Sequence, residues 1–297
     1  MPDWDDLRIF LAVARAESLS GAGRALKIDP ATVGRRVARL EEDLGARLFA
    51  KSPQGYALTE EWRRLLDHAV HAEQAVAGAL EEMRGAPGQL SGQIRIGAPD
   101  GCATFVLPQV VAEICDQNPG LEVQIVALPR VFNLSKREAD MAIAVSRPEA
   151  GRLTVQKITD YHLHLAASRT YLARHSPILA PADLKHHRFV GYIADIIFDK
   201  ELDYLGEVGA GELALASNSV TVQLNWVRSG AGVAVMHDFA LAAAPEVVRV
   251  LPEKIALTRS FYLIRHADDR RVERLNRFAD LLAQGVRREV TRLESLT

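Results

Sequence analysis

A chain of 297 residues is too long for one ordinary domain and suggests two or three, and its 48% hydrophobic and 25% charged residues match a globular protein with a substantial core. The net charge of −2 excludes a wholly basic coat, so any surface for nucleic acid must be local. Two cysteines, Cys102 and Cys115, without a CxxC pair or a His/Cys cluster, exclude a disulfide framework and a zinc ribbon and fit a reducing compartment.

The chain begins Met1-Pro2-Asp3-Trp4-Asp5-Asp6, which is acidic and lacks the apolar core of a secretory signal. No apolar run approaches the roughly 20 residues needed to span a bilayer, so a cytoplasmic protein without membrane contact is expected. Trp4, Leu7, Phe10, Leu11 and Ala14 recur at helical spacing and predict a first amphipathic helix. A break at Glu17-Ser18 precedes a short helix from Ser20 to Leu26. Asp29 suits an N-cap and Pro30 the first helical position of a third helix, which runs to about Leu44 and stops at Gly45. Between Leu48 and Thr59, the turn chemistry of Ser52-Pro53-Gln54-Gly55 predicts a two-stranded wing.

From about Glu60 to Arg84 a long helix carries Trp62, Leu66, Ala69, Glu73, Val76, Leu80 and Met83 at alternating spacings of four and three. That is a coiled-coil seam, with Glu73 and Gly78 as imperfections, or else a face packed on its own domain. Gly85-Ala86-Pro87-Gly88 reads as a hinge. Beyond it strands alternate with helices. Strands are predicted at Gln93–Ala98, Leu121–Ala127, Asp140–Val145, Tyr161–Ala167, Arg188–Ile193, Leu213–Ser217 and Val233–Met236. Helices are predicted at Thr104–Gln117, Val220–Ser229 and Asp269–Leu293. The alternation implies α/β units on largely parallel sheets.

The third helix carries the most specific chemistry. Val33, Val37, Leu40 and Leu44 share a narrow stripe and face the core, whereas Thr32, Arg35 and Arg39 lie opposite with Arg36 beside them. In a helix-turn-helix the N-terminal half of this helix enters the major groove, where arginine bridges guanine O6 and N7. A structural alternative pairs these arginines with Glu42 or Asp43. From Ser20 to Leu58 seven basic residues face four acidic ones, a local balance of +3 within a chain of −2. Lys51 and Gln54, at the wing, are placed for phosphate or the minor groove.

The stretch Phe10-Leu11-Ala12-Val13-Ala14-Arg15-Ala16-Glu17-Ser18-Leu19-Ser20-Gly21-Ala22 resembles the start of LysR-type transcriptional regulators. Ala25-Leu26, Ala31-Thr32-Val33, Val37-Ala38-Arg39-Leu40-Glu41, Leu44-Gly45-Ala46-Arg47-Leu48-Phe49 and Leu58-Thr59 carry the pattern on with matching spacing. The order of the later α/β segments agrees, so the resemblance spans the chain. Gly34 stands where the family has a serine, Lys51 replaces a wing arginine, and Glu61-Trp62 replaces an Ala-Gly pair; these departures bear on single contacts, not on the fold.

The resemblance implies an N-terminal all-α winged helix-turn-helix with a long linker helix, followed by an α/β, two-lobed, periplasmic-binding-protein-like effector domain. The expected divisions are 1–59 for DNA binding, 60–84 for the linker or dimerisation helix, 85–91 for the hinge and 92–297 for the effector domain. Lobe one takes 92–162 and 265–297, and lobe two 163–264. The candidate DNA-contacting residues are Ser20, Pro30, Ala31, Thr32, Gly34, Arg35, Arg36, Arg39, Lys51 and Gln54. The expected partners are double-stranded promoter DNA and a small-molecule effector, with RNA polymerase a further candidate. A homodimer assembling to a homotetramer is implied.

Within the cleft the candidates come from segment ends. Asp100, Gly101 and Cys102 follow the first strand, and Asp100 there repels a simple carboxylate or caps the next helix. Asn218 and Ser219 stand where a strand yields to a helix, placed to bond an anion or to cap. His237 ends a glycine turn, Gly230-Ala231-Gly232, that follows a helix and precedes a strand, the reverse of a dinucleotide loop. Ser146, Arg147 and Tyr192 follow predicted strands. Cys102 is a weak redox candidate, and His186-His187 lacks metal spacing and is assigned to the surface.

No GxSxG elbow, HExxH, phosphate loop or Cys/His pair supports an enzyme, and no cofactor or metal is called for. The remaining alternatives are an effector-independent DNA-binding regulator and a cytoplasmic solute-binding protein.

Overall fold

The first three helices are set by their caps. The computed structural model describes residues 3–52, 55–59, 62, 65–66, 68–70, 72–73, 76, 89–127, 139–148, 151–197, 199–208 and 213–297. Helix α1 spans Trp4–Ala16, with Asp3 as N-cap accepting from Asp5 N. Helix α2 spans Leu19–Leu26 and begins one residue earlier than the sequence suggests, because Ser18 rather than the following serine caps it, accepting from Gly21 N. Helix α3 spans Pro30–Leu44 between the N-cap Asp29 and the left-handed C-cap Gly45, as read from the sequence.

Strands β1 (Phe49–Ser52) and β2 (Gly55–Leu58) pair antiparallel as the wing. Glu41 ties α3 to this hairpin: its Oε1 accepts from Leu48 N at 2.7 Å and from Phe49 N at 3.2 Å. The core of the unit joins Phe10, Val33, Val37, Leu40, Leu48, Phe49 and Trp62. Leu44 departs from the expected stripe and is 38% exposed, since α3 has run past the core by its last turn.

The described linker residues, Trp62 to Val76, are helical, and their first half packs on its own domain. Trp62 and Ala69 are buried, and Glu73 Oε2 pairs with Arg15 Nη2 at 2.6 Å, which explains an acid on the apolar seam. Val76 is 45% exposed. Gln54, Leu80, Met83 and the glycines of 85–88 lie outside the described residues.

The chain divides into two packing units, Met1–Ala86 and Pro87–Thr297. In the second, β3 (Ser91–Ala98) and β4 (Gly120–Ala127) pair in parallel along their full length, and β5 (Met141–Ala144) lies parallel on the other side of β3. The predicted helix 104–117 is two helices, Asp100–Phe105 and Leu107–Gln117. Strand β6 is far longer than expected, Leu153–Ser168. Strands β7 (Phe189–Gly191), β8 (Leu213–Ala216) and β9 (Val233–His237) form a second parallel group, β7 between the other two.

Strand β10 (Val247–Arg249) pairs with β6, and β11 (Ala256–His266), absent from the sequence reading, lies antiparallel to β5 and β6. The sheet is therefore mixed rather than largely parallel: two parallel βαβ groups are joined through the antiparallel strands β6 and β11. Strand β6 meets β9 only through Leu163–Ala167, and β11 shifts register between Phe261 and Tyr262. The junction between the two groups thus falls near the middle of both long strands.

The last helix, Glu273–Glu294, begins later than the expected Asp269 because a 3-10 turn, Ala267–Arg271, precedes it. At Gly285 an added Cβ would lie 2.4 Å from Val110 Cγ1, so this glycine permits the close approach of that helix to Leu107–Gln117. His187, assigned to the surface by the sequence, is buried, its Nδ1 lying 3.2 Å from the Tyr171 hydroxyl. Among the described residues no helix is long and apolar enough to cross a membrane, and no group of three or more His, Cys, Asp or Glu is placed to hold a metal ion.

Candidate functional site

The outward side of α3 is organised from its first turn. Asp29 accepts from Ala31 N at 3.0 Å and Thr32 N at 3.2 Å, fixing the N-terminus with Pro30 in the first position. Burial of Val33, Val37 and Leu40 turns Ala31, Arg35 and Arg39 outward, with Thr32, Gly34 and Arg36 partly covered. Arg35 Nη2 donates to Thr32 Oγ1 at 3.0 Å, so guanidinium and hydroxyl are presented together. Ser20, on α2, and Pro30 are exposed. At Gly34 an added Cβ would stand 3.4 Å from Leu19 Cδ1, an ordinary contact, so space does not dictate the missing side chain.

The other two arginines of α3 behave differently. Arg36 Nη1 donates to Asp6 Oδ1 at 2.9 Å, and Arg39 reaches Asp6 Oδ2 through Nε at 2.7 Å and Nη2 at 2.5 Å. Asp6 is fully buried on α1. Asp3 and Asp5 lie 3.5–3.7 Å from the same guanidiniums. The pairing with Glu42 or Asp43 that the structural alternative offered gives way to Asp5 and Asp6 of α1 and its N-cap Asp3. The hydrogen bond to Asp6 raises the Arg36 guanidinium above its ordinary value against the opposing pull of desolvation, and the charges of Asp6, Asp5 and Asp3 add to it. Lys51 lies in β1, and Gln54 falls outside the described residues.

In the second unit, candidates from the two parallel groups meet. Asp100, at the start of a helix after β3, accepts through Oδ2 from Ser219 Oγ at 3.1 Å and from Thr221 N at 3.4 Å. Ser219 also caps the helix Val220–Arg228, accepting from Val222 N. A Cβ on Gly101 would sit 3.3 Å from Val220 Cγ2. Asp100 thus places its carboxylate at the N-terminus of the opposing helix, where the helix dipole favours negative charge. The expected cap of its own following helix is not formed, since Pro99 holds that position without a side-chain bond; Asp100 instead supports Ser219 at the start of the opposite group's helix.

A second link joins Ser146 Oγ, just after β5, to Asp199 Oδ2. Arg147 stacks over the Tyr262 ring at 5.4 Å. Asn218 is partly buried. Tyr192 lines a small cavity of about 20 Å³ with Val190, Leu202, Tyr204, Gln223 and Val235, room for about one water.

His237 is not a surface group. It is buried, stacks on Tyr161 with ring centroids 5.6 Å apart, and lies with Nε2 3.5 Å from the Tyr204 hydroxyl. Burial drives its pKa from 6.5 down to about 3 and also raises those of Tyr161 and Tyr204. Cys102 is buried, and desolvation pushes its thiol far above the ordinary range, which removes the thiolate a redox sensor needs. Sequence reasoning missed Asp199 and Thr221, which bond Ser146 and Asp100, and Tyr204 and Gln223, which line the small cavity with Tyr192. It also missed Asp6, although a carboxylate four residues before Phe10 on an apolar stripe is a visible signal.

Two family descriptions match the chain: "Bacterial regulatory helix-turn-helix protein, lysR family" over residues 4–61, and "LysR substrate binding domain" over residues 87–287. The HTH-type transcriptional regulator PtxR of Pseudomonas aeruginosa is 29% identical over 254 residues, covering 83% of this chain and 81% of that protein. CrgA of Neisseria meningitidis, a LysR-type transcriptional regulator, matches in structure with a TM-score of 0.58 at 22% identity, covering 95% of this chain and 98% of that one. Full-length LysG of Corynebacterium glutamicum with bound effector Arg matches with a TM-score of 0.65 at 17% identity, covering 96% and 98%.

Proposed function

The chain belongs to the LysR family of bacterial DNA-binding transcription regulators, and from that premise we propose which residues carry the two halves of its work. In the DNA-binding half, Arg35 and Thr32 meet base edges in the major groove. Ser20 and the wing bearing Lys51 and Gln54 set the register on phosphate, and Pro30 and Ala31 pack against the DNA backbone at the start of α3. In the sensing half, a small-molecule effector binds between the two parallel groups, in the cleft bordered by Asp100, Ser146, Tyr192 and Ser219. The protein works without catalysis, in the cytoplasm, as a dimer that pairs through the segment 60–84 and assembles further to a tetramer. RNA polymerase is its partner at the promoter.

The observation that carries the sensing half is the meeting of residues from opposite groups, Asp100 with Ser219 and Thr221, and Ser146 with Asp199. A cleft whose walls already touch through charge-assisted bonds responds to any ligand that competes for them. Because Asp100 holds the helix N-terminus with its own carboxylate, small carboxylates are disfavoured there. Asp100→Asn is expected to remove a stabilisation of about 1 kcal/mol and to admit anions. Thermal unfolding of both proteins with a panel of small amines, neutral polyols and carboxylates tests this. The expected result is a Tm rise with carboxylates for Asp100→Asn that is absent from the native chain. Equal carboxylate responses would remove Asp100 from the site, and no response to any class would count against the cleft.

A further inference from the structure

We infer that Asp6 is a positioning residue of the DNA-binding surface, which withholds Arg36 and Arg39 from the phosphate backbone and leaves Arg35 with Thr32 as the reading pair of α3. Asp6 lies on the apolar stripe of α1 with Phe10 and Val13, and no part of it is exposed. A carboxylate in such a place is costly unless it is paired. Both its oxygens are taken, Oδ1 by Arg36 and Oδ2 by two nitrogens of Arg39.

The surrounding charges complete the neutralisation. Arg8 holds Asp5 at 2.7 Å, so the acids Asp3, Asp5 and Asp6 face the three guanidiniums of Arg8, Arg36 and Arg39. Arg35 stands apart: among the described residues its hydrogen-bond partner is the neutral hydroxyl of Thr32, and no described carboxylate pairs with its charge. Arg36 and Arg39 follow Arg35 by one and four residues, about 100° and 40° around the helix. Freed from Asp6, their guanidiniums would flank Arg35 and reach phosphate on any sequence. Such contacts add affinity without information, so the buried acid protects discrimination between an operator and random DNA.

The test measures binding of the full chain to a random-sequence duplex and to a duplex selected from a random pool, across a series of salt concentrations. Asp6→Asn keeps the shape and removes the charge. Its expected slope of log K against log salt on random duplex is steeper than the native slope by about 0.9 for each arginine released, and the ratio of selected to random affinity falls. A parallel loss of both affinities with the native slope marks a purely structural role and overturns the inference. The second arm keeps Asp6 and changes the half-exposed Arg39 to Gln, leaving Arg36 to hold the acid, so it reports even if Asp6→Asn fails to fold. Here the slope is expected to equal the native one. A slope shallower by about 0.9 means that Arg39 already neutralises a phosphate, which also overturns the inference. The inference rests on α3 as the reading helix. That reading fails separately if the native chain does not prefer the selected duplex.

Discussion

Phe10→Ala is expected to destabilise the DNA-binding unit by about 3–5 kcal/mol, a large part of the roughly 5–15 kcal/mol that holds a typical domain folded. Phe10 is fully buried, with its ring centroid 5.7 Å from that of Phe49 and 5.7 Å from that of Trp62. Phe49 and Trp62 also meet edge to face at 6.5 Å. The three rings come from α1, from the wing and from the helix that follows it, so one truncation opens a cavity where all three join. The small core offers few neighbours able to collapse into the space. Amide hydrogen exchange of α1 to α3 checks this, with β6 and β11 as an internal reference. Protection should fall by orders of magnitude in the first unit alone. Unchanged protection in α1 would show that the aromatic cluster does not hold the unit together.

The second large effect is acid sensitivity at His237. Burial lowers its pKa from 6.5 in the unfolded chain to about 3 in the folded one, so the native state keeps the ring neutral while the unfolded state takes a proton. The unfolded state therefore binds more protons between these values, and stability falls as pH falls. The contribution is fully present above pH 6.5. Below that it declines by about 1.4 kcal/mol per pH unit until the folded ring itself protonates near 3. His237→Gln keeps a polar group near the Tyr204 hydroxyl and cannot titrate. Urea unfolding at pH 7.0 and 4.5 should show the native chain losing about 2–3 kcal/mol more than the variant. Parallel losses would mean that the histidine is accessible to protons in the folded state.

How much of this is legible in the sequence depends on how local the cause is. The ends of α3 are legible because capping at Asp29 and the turn at Gly45 are decided by neighbouring residues. The wing is legible for the same reason. The start of α2 differs by one residue because Ser18, read as part of the break, caps the helix by accepting from Gly21 N. Strand β11 escapes because Thr258-Arg259-Ser260 interrupts its apolar run with polar residues that face β6.

The site follows the same division. Thr32 and Arg35 are read from helical spacing, whereas the partners of Asp100 and Ser146 lie 119 and 53 residues away in sequence and are set by how the two groups of strands meet. His237 illustrates the same division. Its position at the end of β9 suggests a cleft, but Tyr161, Tyr204 and Phe239 enclose it. Arg36 and Arg39 look equivalent to Arg35 on a helical wheel, and only the packing of α1 reveals that Asp6 claims them.

DNase footprinting on the intergenic DNA upstream of the chain's own gene, with the native protein beside Arg35→Ala at two salt concentrations, tests the central claim most directly. The account predicts a protected inverted repeat for the native protein that Arg35→Ala loses at both salts, since one bidentate base contact is worth about 1–3 kcal/mol. Equal protection of the same repeat by both proteins would show that α3 does not read sequence through Arg35 and would contradict the account.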